Sequence, residues 1–343
     1  MPKPEASSGG GRRTASALVG LALAVLLLVW ALRGVHFSEV IGHLRNARLA
    51  PLLAAVVIAT LTYPLRLVRW RLLLRAADGG PLPAAPLWHA VAIGFMANNL
   101  LPFRAGELVR LLAVSRLAGV RFSSALSSVA VERIFDGLTV VALLSVALLA
   151  SDLPPDVAVG GVSVRHAAQA AGAMGAAALV GALLVVAFPL AAERLVRRLL
   201  PAGGLTERLV ALIEGVRHGL SVLRSPALLA GTISWSLVLW LTNGLAFFVA
   251  FKAFGIPVGF LGALLMQGIL VFGISVQLTP GFVGQFEAAI VAALALYRVP
   301  NDLASSYAIA FHATTFLPII LLGAWSLART PLALSDLRAP GRA

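Results

Sequence analysis

Two segments of the chain combine an amide, a proline and a glycine, and a carboxylate follows each. The first is Asn99–Gly106 (NLLPFRAG), followed by Glu107, and the second is Gln277–Gly284 (QLTPGFVG), with Glu287 three residues further on. Proline removes a helical N–H and glycine permits unusual backbone angles, so each segment predicts a broken helix. Corresponding breaks in two halves of a membrane chain are typical of transport sites, and their free N–H groups can contact an anion. The predicted helix-break residues are Pro102, Gly106, Pro280, Gly281 and Gly284.

Several ionisable residues lie within or beside apolar sequence, where a charge costs roughly 2.5–3.5 kcal/mol on insertion scales. Glu287 stands midway in an apolar stretch, and Arg104 begins a series, completed by Glu107 and Arg110, that shares one face of a helix. The carboxylates of Glu132 and Asp136 are neighbours on a helix, with Arg133 beside them, so we expect an arginine from 66–75 or 104–110 nearby. These charges could bind a lipid phosphate, or they could only satisfy one another.

The composition excludes an ordinary soluble protein. The chain has 343 residues, of which 59% are hydrophobic and 12% are charged, with a mean hydropathy of +0.94. There is no cysteine, which excludes disulfides, thiol catalysis and cysteine-ligated metals. No zinc-protease, serine-hydrolase, Walker or dinucleotide-binding motif is present, so we expect no metal, no cofactor and no ATPase or hydrolase activity.

The elements that must position these residues are apolar spans. We predict an all-α polytopic membrane protein with about eight transmembrane helices, one or two re-entrant broken-helix elements and a possible inverted repeat. Trp88–Leu101 is the predicted re-entrant element, whereas the region 257–297 could form two crossings or one hairpin that enters from outside. The eight spans are Ala15–Leu32, Leu49–Tyr63 (closed by Pro64), Ala125–Ala150, His166–Phe188, Ala227–Phe251, Pro257–Leu278, Phe282–Leu296 and Leu303–Leu327.

The loop charges predict the orientation. With both termini cytoplasmic and Trp88–Leu101 returning to the side from which it entered, most of the 27 Lys and Arg residues lie inside, which accounts for the net charge of +13. Nucleic acid is therefore not expected as a partner. We expect residues 1–14 to be a disordered cytoplasmic segment, 15–328 to form the membrane domain and 329–343 to form a cytoplasmic tail. Within the domain, 191–224 is interpreted as two amphipathic interfacial helices, with a plain loop as the alternative.

The motifs together resemble those of the flippase-like proteins related to the transmembrane region of lysylphosphatidylglycerol synthase, the multiple peptide resistance factor. The resemblance covers roughly residues 15–330. It rests on RLVRW at 66–70, NLLPFRAGELVR at 99–110, ERIFD at 132–136 and PGFVGQFE at 280–287. It implies a bacterial inner-membrane protein that moves a lipid between leaflets or assists lipid modification. The aminoacyltransferase domain of the full synthases has no counterpart in this sequence, so aminoacyl transfer is not implied.

The leading hypothesis is a lipid translocase in which a phospholipid or lipid-linked headgroup enters a polar cavity between the broken helices. Arg104 and Arg110 would receive the phosphate, and Glu287 could exchange a proton or contact a cationic headgroup. The alternatives are a transferase or accessory factor for polyprenyl-phosphate sugars, aminoacyl lipids or hopanoids, with Glu132 or Asp136 as general base, and a scaffold for lipid-synthesis enzymes. The predicted substrate-binding residues are Arg69, Asn99, Arg104, Glu107, Arg110, Glu132, Arg133, Asp136 and Glu287. The lipid, the direction and the oligomeric state stay open.

Overall fold

The computed structural model describes residues 37–75, 80–150, 153–154, 158–159, 162–199, 203, 206 and 226–332. Several predictions fall on other parts of the chain and lie outside the described residues. These are the N-terminal segment 1–14, the span Ala15–Leu32, the second interfacial helix and most of the tail 329–343.

The described residues are helical apart from one minimal antiparallel hairpin, which confirms the predicted all-α class for this part of the chain. The hairpin pairs β1 (Ala158–Val159) with β2 (Val162–Ser163). The helices before it are α1 (Phe37–Asn46), α2 (Leu49–Leu73), α3 (Ala84–Leu100), α4 (Ala105–Ala118) and α5 (Phe122–Leu149). Those after it are α6 (Val164–Ala187), α7 (Pro189–Leu199), α8 (Pro226–Ala253), α9 (Phe260–Gly273), a 3-10 turn (Pro280–Phe282), α10 (Gln285–Ala295) and α11 (Asn301–Ala328).

Three helices of the described residues, α2, α8 and α11, are long and apolar enough to cross a bilayer. Helix α5 has 28 residues but carries Glu132, Arg133 and Asp136 within it. The count of about eight spans stays a prediction. Helix α7 covers the start of the segment interpreted as interfacial and carries an Arg197–Glu193 ion pair at 3.1 Å, while its position at the membrane interface stays a prediction.

The sequence predicts that Pro64 closes the span Leu49–Tyr63. The prediction is wrong, because α2 continues through Pro64 to Leu73. A proline removes one helical hydrogen bond. The continuation offsets that loss because it places Arg69, Trp70 and Leu73 in fully buried positions. The proline therefore interrupts the hydrogen bonding of the helix without ending it.

The region 257–297 forms two short helices joined at a break, which favours the hairpin over two crossings. Helix α9 has 14 residues and α10 has 11, and the two pack against each other. Helices α3 and α4, with 17 and 14 residues, form the corresponding pair around the first break. All four are shorter than the ~20 residues that a crossing requires.

The two halves of the molecule repeat one order of elements. In the first half, the α3–α4 hairpin stands between the long helices α2 and α5, and in the second the α9–α10 hairpin stands between α8 and α11. Each hairpin contributes to its own large apolar cluster, the first with α2 and α5 and the second with α8 and α11. The order of the helices around the two proline motifs is therefore the same in both halves.

The halves are packed in opposite senses. Helices α2 and α8 run antiparallel, since the amide of Arg48 donates to the carbonyl of Ala253 (2.8 Å) at one end and Arg69 donates to Ser236 (3.1 Å) near the other. The last helix of each half packs on the first hairpin helix of the other half, α11 on α3 and α5 on α9. The two halves therefore exchange equivalent contacts across an antiparallel helix pair, and the inverted repeat stays a prediction.

Candidate functional site

The two helix breaks meet at their tips, and the side chain of Gln277 joins them. Its Nε2 donates to the carbonyls of Asn98 (2.8 Å) and Leu101 (2.9 Å), and its Oε1 accepts from the amide of Arg104 (2.9 Å). The carbonyl of Gln277 also accepts from the amide of Phe103 at 3.2 Å. The side-chain amide of Gln277 in the second motif therefore pairs with backbone groups that the first break leaves without helical partners.

The backbone of the two breaks has the same local geometry. In each motif the two residues after the proline have positive φ: Phe103 (57°) and Arg104 (52°) in the first, Gly281 (61°) and Phe282 (60°) in the second. Three of these four are not glycine, and left-handed backbone is uncommon for such residues. Its occurrence at equivalent positions is a second likeness between the two breaks.

The second break is capped by Glu287, the carboxylate expected to be functional. Its Oε2 accepts from the amide of Gly284 (2.7 Å), and its Oε1 lies 2.6 Å from Nδ1 of His312 on α11. The imidazole of His312 stacks on Phe286, with the ring centroids 4.2 Å apart. Glu287 is buried, so its charge is held by a helix N-terminus and by a histidine.

The largest ionic cluster is centred on Glu132 of α5, a residue with no exposed surface. Arg110 donates to both of its oxygens, at 3.1 and 3.0 Å, while Arg69 lies 3.2 Å and Arg133 2.9 Å from Oε1. The arginine partner expected for the carboxylates thus comes from α2 and from α4 at once. The guanidinium of Arg110 also lies over the ring of Trp70, 3.7 Å from its centroid.

Asp136, one turn further along α5, is the second carboxylate of this cluster. Its Oδ1 accepts from Arg69 (2.5 Å) and from the indole N–H of Trp240 on α8 (2.9 Å), while Oδ2 lies 3.4 Å from Arg133. The side chain of Arg69 also donates to Ser236. The cluster therefore connects α2, α4, α5 and α8 through buried charge-assisted hydrogen bonds.

Arg104 and Glu107 form a separate, more exposed pair at the first break. Arg104 Nη1 donates to Glu107 Oε1 at 3.3 Å, and Nη2 donates to the carbonyl of Ile274 at 3.3 Å. About a third of each side chain is exposed. Arg133 lies 3.9 Å from Glu107 and connects this pair to the cluster around Glu132.

A central cavity of about 230 Å³ lies where α2, α3, α8, α9, α10 and α11 meet. Aromatic rings from α3, α8, α10 and α11 form much of its wall, and no carboxylate lines it among the described residues. Trp240 separates the cavity from the ionic cluster, since it lines the first and donates to Asp136 in the second. Besides two threonines, the polar lining residues are Tyr63, Arg66, Asn99, Asn243, Gln267 and His312.

An apolar groove of about 320 Å³ lies on the other side of His312. It is formed by α10, α11 and the second break, and Glu287 lies at its base. His312 and Phe316 line both the groove and the central cavity, so these two side chains form the partition between them.

The predicted site residues separate into three places. Asn99 lines the cavity, and Glu287 lines the groove. The others form the ionic network and are paired with one another: Arg69, Arg104, Glu107, Arg110, Glu132, Arg133 and Asp136. In the described residues no group of three His, Cys, Asp or Glu side chains could hold a metal ion.

Two residues outside the predicted set belong to the site. Arg66 lines the cavity, and His312 contacts Glu287. Arg66 lies three residues before Arg69, so the spacing places both on one face of the helix. It does not show which of the two pairs with a carboxylate and which lines the cavity. The sequence gives no signal for His312, because its partner Glu287 lies on another helix and no local pattern connects the two.

Comparison with known proteins gives one family and two relatives. The family model described as "Lysylphosphatidylglycerol synthase TM region" matches residues 17–323. "Glycosyltransferase AglD" from Haloferax volcanii is 30% identical over 344 residues, which cover 92% of this chain and 54% of that protein. This chain therefore spans about half the length of that relative. A "UPF0104 membrane protein" from Methanothermobacter thermautotrophicus is 25% identical over 325 residues, covering 88% of this chain and 90% of that protein.

Proposed function

Because the chain belongs to the family of lysylphosphatidylglycerol synthase transmembrane regions and is a multi-pass membrane protein, we propose that it moves a lipid between leaflets. The headgroup crosses through the central cavity while the hydrocarbon tails stay in the bilayer. The observation that carries this proposal is the meeting of two broken-helix hairpins from antiparallel halves beside a cavity that both aromatic and polar side chains line. The membrane is the plasma membrane, with both termini on its cytoplasmic side.

The ionic network around Glu132 supports this function by fixing the positions of the helices that form the cavity wall. It does not make the first contact with the headgroup. Its arginines already donate to carboxylates, and Arg69 and Glu132 are fully buried. Arg104 and Glu107 are more exposed, so they are better placed to meet a headgroup as it enters. Asn99 then contacts it inside the cavity.

The groove beside the cavity binds the hydrocarbon tail of the lipid. It is mainly apolar, and His312 and Phe316 line both the groove and the cavity. A lipid with its headgroup in the cavity can therefore keep a hydrocarbon chain against α10 and α11. A small movement of those two side chains connects the compartments.

A second function, in the transfer of a lipid-linked sugar, is favoured by the similarity to the Haloferax glycosyltransferase. The carboxylates expected to act as general base do not favour it. Both oxygens of Glu132 accept hydrogen bonds from arginines, and Oδ1 of Asp136 accepts from Arg69 and Trp240. Oδ2 of Asp136 accepts no hydrogen bond, but it is buried and lies 3.4 Å from Arg133, so a substrate would have to displace this arginine to reach it. Under this alternative the chain binds and presents the lipid, and a partner domain performs the transfer.

The test is leaflet exchange in proteoliposomes that contain the purified chain and fluorescent lipids. Phosphatidylglycerol, phosphatidylcholine and a polyprenyl phosphate are compared, and exchange is followed by chemical bleaching of the outer leaflet. We expect exchange of a phosphate-bearing lipid above that of empty vesicles, with a clear reduction in Glu287→Gln. The same vesicles supplied with a nucleotide sugar test the alternative, which predicts a glycosylated lipid instead. Absence of exchange for all lipids contradicts the translocase proposal.

A further inference from the structure

Arg66 differs from the arginines around it because no carboxylate in the described part of the chain reaches it directly, although Asp136 and Glu132 are near enough to attract its charge. Arg69, Arg104, Arg110 and Arg133 each form an ion pair, whereas no carboxylate of the described residues lies within ion-pair distance of Arg66. Its Nε is buried without a hydrogen-bond partner, and its guanidinium lies over the ring of Phe95, 4.8 Å from the centroid. A cation held in this way inside a membrane protein retains its need for an anion.

Two further donors stand beside Arg66 and are also unengaged. The hydroxyl of Tyr63 and the side-chain amide of Asn99 make no hydrogen bond within the described part of the chain, and both residues line the cavity. Tyr63 lies one turn before Arg66 on α2 and contacts the edge of Phe95, with ring centroids 5.3 Å apart. Asn99 lies one turn after Phe95 on α3. The three donors therefore line one cavity together with Phe95.

The rest of the lining excludes a cation as the preferred ligand. No aspartate or glutamate among the described residues lines the cavity, and Nδ1 of His312 is already engaged by Glu287. The two threonine hydroxyls donate to carbonyls of their own helices. Asn243 and Gln267 pair with each other at 3.2 Å. Besides this pair and His312, the polar groups that remain are one guanidinium, one phenol and one amide, a set that can donate to the oxygens of a single phosphate group.

We propose that Arg66, Tyr63 and Asn99 form a binding site for one phosphate group, with Arg66 as the residue that selects it. The inference deepens the proposed function and rests on it for the source of the phosphate, a lipid headgroup. A cavity of about 230 Å³ is smaller than the usual pocket for a drug-sized ligand, so it favours a phosphate that carries no more than a small substituent. Under this proposal Arg104 and Arg110 help to form the path of the headgroup, and they do not bind the phosphate.

The test measures binding of inorganic phosphate to the purified full chain in detergent by isothermal titration calorimetry. Arg66→Gln is expected to weaken binding at least tenfold and Tyr63→Phe about threefold, whereas Arg66→Lys retains part of the affinity. Arg71→Gln is the matched control, because Arg71 lies on the same helix but donates to the carbonyl of Leu82 away from the cavity. It should bind as the wild type does. Each variant is used only as a single symmetric peak in size-exclusion chromatography.

A second arm identifies the source of the phosphate. Phosphatidic acid in nanodiscs should compete with inorganic phosphate for the wild type, and phosphatidylcholine, with its larger headgroup, should compete at least tenfold less well. Phosphate binding without competition by either lipid assigns the site to a free anion and overturns the headgroup source. Equal affinities of Arg66→Gln and Arg71→Gln, or no phosphate binding by the wild type, overturn the site itself.

The outcomes separate this inference from the function on which it rests. If phosphate and phosphatidic acid bind through Arg66 but no lipid changes leaflet, the translocase proposal fails while the site stands. If leaflet exchange occurs and Arg66→Gln exchanges lipid at the wild-type rate, the site fails while the translocase proposal stands.

Discussion

Glu132 shows at the scale of a single residue how this chain accommodates charge in an apolar protein. Three arginines contact it, and its side chain has no exposed surface. A buried ion pair is not in itself a source of stability, because both groups lose their hydration. Loss of one partner is costly, however, since it leaves the other charges buried without compensation.

Glu132→Gln is therefore expected to lower the free energy of unfolding by about 3–5 kcal/mol. The amide keeps the size of the side chain but cannot compensate Arg69 and Arg110. The measurement is the midpoint of thermal unfolding in detergent, followed by intrinsic fluorescence.

Glu107→Gln is the matched control for this prediction. Glu107 also pairs with arginines, but about a third of it is exposed, so its replacement should cost less than about 1 kcal/mol. Equal shifts of the unfolding midpoint in the two variants would contradict the expectation that burial makes the loss of the Glu132 charge more costly.

The sequence predicts the members of the ionic network better than their pairing. The spacing of Glu132 and Asp136 places them on one helix face and requires a cation, and the structure supplies Arg69 and Arg110 from the two expected segments. The choice between Arg66 and Arg69 is not local, because it depends on how α2 packs between α5 and α8. Spacing alone therefore could not separate the paired arginine from the unpaired one.

At the scale of elements, the contact between the two breaks depends on one amide side chain. Gln277 satisfies two carbonyls and one amide of the first break, and all three partners belong to residues 98–104. A buried polar group that loses its partner costs about 1–3 kcal/mol. Both hairpin tips thus share one set of hydrogen bonds.

Gln277→Ala should consequently loosen both tips together. Hydrogen–deuterium exchange in peptides that cover 98–107 and 276–285 is expected to increase about tenfold or more, while peptides from α8 keep their protection. Asn243→Ala is the control, because Asn243 donates only to Gln267 inside the cavity. An increase confined to 276–285 would contradict the contact between the breaks.

The first hairpin depends on close approach of its two helices at glycine. A Cβ at Gly106 would clash with the carbonyl of Gly94 and the amide of Asn98. Gly106→Ala is expected to lower the unfolding midpoint by several degrees, with a cost of at least about 1–3 kcal/mol.

Gly137→Ala provides the comparison for this glycine. Gly137 lies on α5 with no atom near the added Cβ, so the change should stabilise the helix by about 0.5–1 kcal/mol. If Gly106→Ala melts at or above the wild-type midpoint, the close packing of α3 and α4 is wrong.

The sequence predicts helix breaks only where proline acts together with other signals. Pro102 and Pro280 each stand beside a polar amide and a following glycine, and both interrupt a helix. Pro64 has neither signal, and its helix continues because the residues after it are buried against other helices. The burial that decided this case comes from tertiary packing, which the local sequence does not contain.

At the scale of the whole molecule, the described residues contain two antiparallel halves that meet at the central cavity. The family assignment expected from the motifs is confirmed over residues 17–323. The cavity itself could not be predicted from the sequence, because its lining comes from six helices of both halves. The central claim at this scale is that a lipid headgroup passes through that cavity.

The most direct test of this claim is leaflet exchange by a variant in which the cavity is filled. Asn243→Trp places an indole in the cavity, and Leu245→Trp, two residues along the same helix at a position 41% exposed, is its control. Both variants must elute as a single symmetric peak. We predict that the wild type and Leu245→Trp exchange a phosphate-bearing lipid at similar rates and that Asn243→Trp exchanges it at least tenfold more slowly. Equal rates for the two tryptophan variants would contradict passage through the cavity.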